Sequence, residues 1–297
     1  MSGTWIAVAA AVVVVGVIVF RHHRQSRAET LLDEHARRRT AAVAPPSVTP
    51  VARWREANRL FRAGDPRGLA LLARIGAALP RRRQAVVDSW LAALRGGVSR
   101  GLDARWRRAV QAELVAHLRP GAGYWPGMDL RAPGAILVDL DLSGCRVGEV
   151  DFSGAVFVGD ARFTAMTVTG SADFSAARFL RHALFGEVLF ARSAAFVLTV
   201  FCGNVVLRRA QVTGDAAFTD AKISGRADLS GVEFTGAADL RHVFFGGRAL
   251  FADAVFGKDA YFNGSWFRGR TDVGSVLVGA TADFEAVRFG HRVTRQG

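Results

Sequence analysis

The residues that most often perform chemistry in proteins are sparse in this sequence and do not cluster. Seven histidines are scattered along the chain, and His22 and His23 form the only adjacent pair. Asp239 and His242 lie three residues apart, but no nucleophile stands beside them in the sequence. Neither a Cys-x-x-Cys nor a His-Glu-x-x-His spacing occurs. We therefore predict no catalytic, cofactor-binding or metal site, and a protein that is not an enzyme.

The two cysteines, Cys145 and Cys202, are too few to build a disulfide framework in a chain of 297 residues. We expect reduced thiols in a reducing compartment. In the repeat described below, Cys145 takes an inward position of the core, whereas Cys202 follows an inward residue and should point outward.

The positive charge of the chain belongs to its N-terminal part. Residues 1–128 contain 21 arginines and 8 acidic residues, whereas residues 129–297 contain 18 basic and 18 acidic residues. No aromatic stacking pattern accompanies the arginines, which disfavours nucleic-acid binding. Six arginines are candidate contacts for anionic lipid headgroups, with a solvated helix face as the alternative for the last three: Arg21, Arg24, Arg27, Arg81, Arg82 and Arg83.

An uncharged apolar segment near the N-terminus predicts a membrane anchor. Thr4–Phe20 reads TWIAVAAAVVVVGVIVF, which as a helix spans about 25 Å. Arginines follow this segment, so we expect a single-pass anchor with the C-terminal part in the cytoplasm. A cleaved signal peptide is the alternative, but a basic leading region is lacking and no Ala-x-Ala site follows the apolar segment before Arg21.

Composition divides the chain into four parts. We assign 1–24 to the anchor, 25–50 to a juxtamembrane segment and Pro-rich linker, 51–122 to a basic α-helical region and 123–297 to a repeat. The helical region predicts four helices of about 12 to 16 residues, one of them starting at Asp65 as N-cap.

The repeat places a large apolar residue at alternate steps of five and six. These steps define 26 positions from Phe152 to Phe289. All 26 are apolar, and 18 of them are Phe. The residue two before each is usually Ala or Val. Two residues that are two apart face the same way on an extended backbone. Short extended segments that turn regularly predict a solenoid with these pairs inside it.

Segments such as VDFSG, ADFSA, AAFTD and ADLSG resemble pentapeptide repeats over about residues 137–291. The resemblance implies a mainly β fold, a right-handed quadrilateral β-helix with four faces per coil. If four faces hold, the steps of five and six give coils of about 22 residues and about seven coils. YWPGMDLRAPGAILVDLDLSGCRV also resembles actinobacterial membrane-anchored members, which implies a bacterial inner-membrane location.

Outward residues 22 apart should form columns on such a solenoid. Phe244 and Trp266 satisfy this spacing, and Tyr261 falls on an adjoining face. We interpret these aromatic residues as a candidate surface for an unknown protein partner. Coverage by a neighbouring loop or by the C-terminal tail is the alternative.

Both ends of a solenoid need shielding. We expect the helical region to cap the first coil, with Tyr124 and Trp125 at the junction. After Phe289 only GHRVTRQG remains. The sequence therefore predicts either a homo-oligomer through the C-terminal coil or a folded-back tail.

These features favour a membrane-anchored cytoplasmic scaffold that presents a rigid β-helical surface to a protein partner. The alternative is a DNA mimic that modulates a topoisomerase such as gyrase, because pentapeptide-repeat proteins that protect gyrase resemble duplex DNA in shape and negative charge. The zero net charge of residues 129–297 disfavours that alternative.

Overall fold

The computed structural model describes residues 49–95 and 104–290. They belong to two units that divide inside the first helix, with residues 49–55 in one and 56–290 in the other. No helix in these ranges is both long enough and apolar enough to cross a bilayer. The predicted anchor at Thr4–Phe20 and the headgroup candidates Arg21, Arg24 and Arg27 lie outside the described residues.

Four α-helices precede the repeat within the described residues. The second begins at a proline whose preceding residue, Asp65, caps it by accepting a hydrogen bond from the Arg67 amide at 2.9 Å, as expected from the sequence. It ends before Pro80, which opens a short 3₁₀ helix, Pro80–Arg82. The helices are α1 Pro50–Arg62, α2 Pro66–Ala78, α3 Arg83–Leu94 and α4 Ala104–Leu118.

The repeat forms a solenoid of four parallel sheets, called faces 1 to 4 in the order in which a coil meets them. Face 1 contains Leu130–Arg131, Val150–Asp151, Ala172–Asp173, Ala194–Ala195, Ala216–Ala217, Ala238–Asp239, Ala260–Tyr261 and Ala282–Asp283. Face 2 contains Ile136–Val138, Val156–Val158, Arg178–Phe179, Val200–Phe201, Lys222–Ile223, Phe244–Phe245, Trp266–Phe267 and Arg288–Phe289. Face 3 contains Ala161–Arg162, Ala183–Leu184, Val205–Val206, Ala227–Asp228, Ala249–Leu250 and Thr271–Asp272. Face 4 contains Arg146–Val147, Thr167–Val168, Leu189–Phe190, Gln211–Val212, Glu233–Phe234, Val255–Phe256 and Leu277–Val278.

The strand register sets the length of a coil. The Val243 amide donates to the hydroxyl of Ser265, which occupies the equivalent position of the next coil 22 residues later. The strand pairs of the later coils follow the same register. The first coil is shorter, because Leu137 pairs with Phe157. The expected four faces and the expected coil length are both confirmed. The first coil is shorter because its large positions are all five residues apart: Leu137, Leu142, Val147, Phe152 and Phe157.

The five-residue corners, from face 1 to face 2 and from face 3 to face 4, are tight turns. After Phe174, for example, the Ala177 amide donates to the Phe174 carbonyl at 3.0 Å, and Ala176 between them has φ of +57°. This is the geometry of a type II turn. Asp173 accepts a hydrogen bond from the Ser175 amide at 2.7 Å and so fixes the start of the turn. The Asp-large-Ser pattern of the repeat is thus a turn signal.

The six-residue corner between faces 2 and 3 carries a column of glycines in four successive coils: Gly203, Gly225, Gly247 and Gly269. A Cβ on Gly225 would stand 2.5 Å from the Gly203 carbonyl oxygen, and one on Gly247 would stand 2.5 Å from the Gly225 oxygen. The column therefore lets successive backbones approach closely where the extra residue must fit.

The core is a ladder of stacked phenylalanine rings. Phe174 and Phe196, one coil apart, lie with ring centroids 5.1 Å apart and an interplanar angle of 2°. Every large position of the repeat from Phe152 to Phe267 is buried. The last four positions do not follow the expectation of an enclosed core: Val273 is half-buried, and Val278, Phe284 and Phe289 are exposed. In the part of the chain that the structure describes, no further coil stacks on them.

Candidate protein-interaction surface

Face 2 presents an exposed aromatic pair. Phe244 and Trp266 are cross-strand neighbours whose ring centroids lie 5.1 Å apart at an angle of 64°. The Trp266 residue is 45% exposed, and Phe244 is half-buried. The Lys222 ammonium lies 5.9 Å from the centroid of the Phe244 ring, and exposed Arg288 follows Trp266 in the column. An apolar pair thus sits between two cations, a composition typical of interaction hot spots.

The core holds this pair in a fixed position. The residues that follow it in the sequence, Phe245 and Phe267, point inward and stack with centroids 4.5 Å apart. Backbone hydrogen bonds join the two strands to their neighbours, including Trp266 N to Val243 O at 2.9 Å. Because each outward ring stands beside a buried one, the pair can contact a partner with little ordering of the backbone.

Tyr261 lies on face 1, the adjoining face, as expected. Its ring contacts the Arg241 guanidinium at 5.8 Å, and its hydroxyl donates to Asp259 at 3.3 Å. The neighbouring Asp259 carboxylate raises the pKa of this tyrosine. Tyr261 is therefore already engaged with charged neighbours, and the exposed surface centres on Phe244 and Trp266.

The three arginines at the start of α3 differ in their surroundings. Arg81 and Arg82 are exposed on the 3₁₀ helix. Arg83 is half-buried: its Nε donates to the Gly76 carbonyl at 3.2 Å, and its guanidinium lies 5.7 Å from the Trp125 ring centroid. The contacts of Arg83 show a role in packing between α2, α3 and the start of the repeat.

Polar side chains of α3 and α4 complete the hydrogen bonding of the first coil. Gln111 is buried, and its amide donates to the Val138 carbonyl at 2.7 Å and accepts from the Val138 amide at 2.9 Å. Gln84 repeats this arrangement at Asp129, at 3.0 and 2.9 Å. Each glutamine thus takes the place of a neighbouring strand, which shields the N-terminal edge.

Arg107, in the basic cluster of α4, also belongs to this cap. It is 3% exposed, and its Nη1 donates to the carbonyls of Leu94 and Ile136 at 2.8 and 3.1 Å. Burial lowers the pKa of its guanidinium. Arg108 beside it forms an ion pair with Asp139 at 2.8 Å. A sequence cannot reveal these roles, because the partners are remote along the chain.

Aromatic stacking closes the junction between the helices and the repeat. Trp125 is buried and stacks on the His117 ring, with centroids 3.9 Å apart. The Tyr124 hydroxyl donates to the Arg146 carbonyl at 3.2 Å. The expectation that Tyr124 and Trp125 lie at the junction is confirmed. A Cβ on Gly76 would lie 2.3 Å from the Trp125 ring, so the indole packs directly against the backbone of this glycine.

Many acidic residues of the solenoid form turns and ion pairs. Asp228 is 8% exposed and lies 2.7 Å from the Arg226 guanidinium, although it occupies an outward position. Asp239 pairs with Arg241 at 2.6 Å. Burial would raise the pKa of Asp239, but hydrogen bonds from Arg241 hold it below its usual value. These contacts weaken the case for a DNA mimic.

The described residues contain no group of His, Cys, Asp and Glu that could hold a metal ion. Cys145 is buried, and burial raises the pKa of its thiol to about 11. Cys202 is exposed. The inward and outward positions expected for the two cysteines are confirmed, and they do not form a disulfide.

These observations define the repeat as a four-sided parallel β-solenoid of about seven turns with a few N-terminal helices. Residues 196–243 match the family model described as pentapeptide repeats (9 copies), and the β-solenoid agrees with the resemblance seen in the sequence. Neither a curated protein nor a solved structure matches the chain. Solenoids of this family generally act as structural or interaction modules, which is consistent with the surface on face 2.

Proposed function

We propose that this protein is a membrane-anchored scaffold that binds a protein partner through the aromatic pair on face 2. The observation that carries the proposal is the exposed Trp266 side chain, packed at its edge by Phe244 and backed by the buried Phe245–Phe267 stack. An exposed tryptophan on a rigid strand offers a large apolar area at a small entropy cost. The cations beside the pair favour a partner surface with acidic residues around an apolar centre.

The anchor and its orientation support the scaffold role from the sequence. Thr4–Phe20 has the apolar length of a short bilayer span, and arginines follow it. We infer that Arg81 and Arg82, which are both exposed, then face anionic headgroups on the cytoplasmic side. In this arrangement the helices and the solenoid project into the cytoplasm of a bacterial cell.

A photo-crosslinking experiment in cells tests the partner surface. A photoreactive amino acid at Lys222, beside the pair, should give a discrete adduct with one partner protein, identified by mass spectrometry. The same amino acid at Leu189, half-buried on face 4, serves as the matched control. Phe244→Ser with Trp266→Ser should abolish the adduct and leave the thermal unfolding temperature unchanged, because neither side chain belongs to the core.

Two results would count against the proposal. Adducts of equal yield from Lys222 and Leu189 would show that face 2 has no preference. Unfolding of the double serine variant at a clearly lower temperature would make these residues part of the core, and any loss of binding would then follow from lost structure. A change in gyrase supercoiling by the purified protein would instead favour the DNA-mimic alternative.

A further inference from the structure

Four arginines border face 2 along the corner that leads to face 3. Three of them follow glycines of the column described above and occupy the same position in successive coils. They therefore recur at the spacing of the coils, about 4.8 Å. The fourth stands two residues before the last of these three, and all four are exposed. We call these four residues the arginine ridge: Arg226, Arg248, Arg268 and Arg270.

The arginine ridge keeps positive charge that its own chain does not neutralise. Arg226 lies 2.7 Å from the buried Asp228, and its side chain is still 50% exposed. Arg248 lies 3.3 Å from the buried Asp272 and is similarly exposed. The other two arginines of the ridge form no ion pair with another described residue. Four arginines against two aspartates leave a local surplus of positive charge, although residues 129–297 as a whole carry no net charge.

The opposite border of face 2, the corner from face 1, has a different charge. Asp220 and Glu285 are exposed there. Arg241 at the same corner is paired with Asp239 at 2.6 Å. A partner with acidic side chains would be repelled at this border and attracted at the arginine ridge. The charges therefore define on which side of face 2 the acidic residues of a partner must lie.

The outward residues of face 2 form a straight row between these two borders. The strand register gives the order Arg178, Val200, Lys222, Phe244, Trp266 and Arg288. The apolar part from Val200 to Trp266 covers three coil spacings, about 14 Å. The two end arginines are five coil spacings apart, about 24 Å. The row thus has a mainly apolar centre with a cation at each end.

The backbone of face 2 is closed to a partner between its first and last strands. The Phe244 amide donates to the Ala221 carbonyl at 2.9 Å, and the Trp266 amide donates to the Val243 carbonyl at 2.9 Å. Every strand between the first and the last has a neighbour on both sides. A partner can therefore contact only side chains here. An α-helix suits such a surface because it pairs its own backbone groups internally.

We propose that face 2 holds one acidic amphipathic helix of the partner, which lies along the solenoid axis with its acidic side chains against the arginine ridge. One turn of a helix rises 5.4 Å, close to the spacing of the coils. Acidic residues at i, i+3 or i+4, and i+7 on one side of the helix would therefore meet successive arginines. The apolar side of the helix would cover Phe244 and Trp266. This inference rests on the function proposed for face 2.

The spacing of two crosslinks tests the helix. Photoreactive amino acids are placed singly at Arg178 and Arg288, which are both exposed, and the adducts formed in cells are mapped by mass spectrometry. A distance of about 24 Å corresponds to about 16 residues of helix but only about seven residues of extended chain. We expect both crosslinks in one partner segment, about 16 residues apart. A separation of about seven residues, or crosslinks in two different segments, would overturn the helix.

Charge reversal tests the arginine ridge. With the photoreactive amino acid at the exposed Ser224, between the row and the ridge, Arg268→Glu with Arg270→Glu should lower the adduct yield at least tenfold. Arg192→Glu with Arg208→Glu makes the same change of charge at other corners and should leave the yield unchanged. Thermal unfolding of both variants checks that each retains its fold. If the first variant unfolds at a lower temperature, Arg268→Gln with Arg270→Gln replaces it, and we expect a threefold loss of adduct.

The outcomes separate this inference from the function on which it rests. An adduct that survives the loss of ridge charge but disappears in Phe244→Ser with Trp266→Ser would keep face 2 as the partner surface and refute the acidic helix. A crosslinked segment without acidic residues at spacings of three or four would have the same consequence. An adduct with phospholipid in place of a protein would identify a membrane surface and refute both proposals, as would the lack of any adduct from Arg178, Ser224 and Arg288.

Discussion

The helical cap makes a quantitative prediction at Gln111. Gln111→Ala would leave the Val138 amide and carbonyl unpaired in a site where Gln111 is 4% and Val138 is 7% exposed. Each buried unpaired group costs about 1–3 kcal/mol. Freedom regained by the deleted side chain offsets about 1.5 kcal/mol of this cost. We expect a net loss of about 3 kcal/mol in the local stability of the first coil.

Gln84→Ala is the matched control. Gln84 makes the same two backbone bonds, to Asp129, but both residues are half-exposed and water can replace the lost amide. We expect a loss of about 1 kcal/mol there. Since about 1.4 kcal/mol corresponds to a factor of ten, hydrogen exchange of peptides covering residues 130–140 should accelerate about 100-fold in Gln111→Ala and about fivefold in Gln84→Ala.

Hydrogen exchange followed by mass spectrometry suits this test because a solenoid opens locally, coil by coil. Peptides from residues 216–240 should keep their exchange rates in both variants. Equal acceleration by the two variants would refute the argument from burial. Acceleration spread evenly along the repeat would show that the cap stabilises the whole solenoid and not the first coil.

Three further predictions concern the repeat itself. Gly225→Ala should lower the stability in thermal unfolding by about 2–3 kcal/mol, because the new Cβ would stand 2.5 Å from a backbone oxygen. Gly154→Ala should cost about 1 kcal/mol in the same measurement, because Gly154 has φ of +64° but open space around it. In denaturant titrations, Thr199→Val should lower the free energy of unfolding by about 1–2 kcal/mol, since the buried Thr199 hydroxyl donates to a carbonyl at 2.7 Å. Thr271→Val should be neutral or stabilising, because the Thr271 hydroxyl has no partner within the described residues. Burial raises the pKa of the Cys145 thiol from 9.0 to about 11, so its contribution to stability should be complete below about pH 9 and decline by about 3 kcal/mol as pH rises through 11. Cys145→Ala should remove this decline. An unchanged dependence of stability on pH in that variant would contradict the assignment.

The periodic positions of the repeat could be read from the sequence because each depends only on local geometry. A small and a large residue two apart must share a face, so Ala216 and Phe218 are inside wherever the solenoid exists. Exposure depends on more than position along the strand. Phe284 obeys the same pattern as Phe262 yet is exposed, because no further coil stacks on it within the described residues.

The polar contacts of the cap could not be predicted in the same way. Arg107 and Gln111 read as ordinary polar positions on a basic helix, yet each bonds a backbone carbonyl of the first coil. Nothing in a helical period identifies a remote carbonyl. The Asp residues of the repeat were also open to more than one interpretation, and the structure shows that their oxygens accept amides two residues ahead, as in Asp173 and Ser175.

The glycine-rich corner explains why the outward residues of face 2 and face 3 differ in exposure. On face 3, the outward Asp228 is buried beneath its ion pair with Arg226 from the preceding corner. On face 2, the strand of Phe244 is followed by two glycines, Gly246 and Gly247, and a Cβ on Gly246 would approach the Phe244 ring to 2.9 Å. The corner therefore gives the ring room and adds no side chain that could cover it. Gly246 and Gly247 leave room for the Phe244 ring, so a side chain placed at Gly246 should displace Phe244 and weaken binding of the partner while the buried stack behind it is retained.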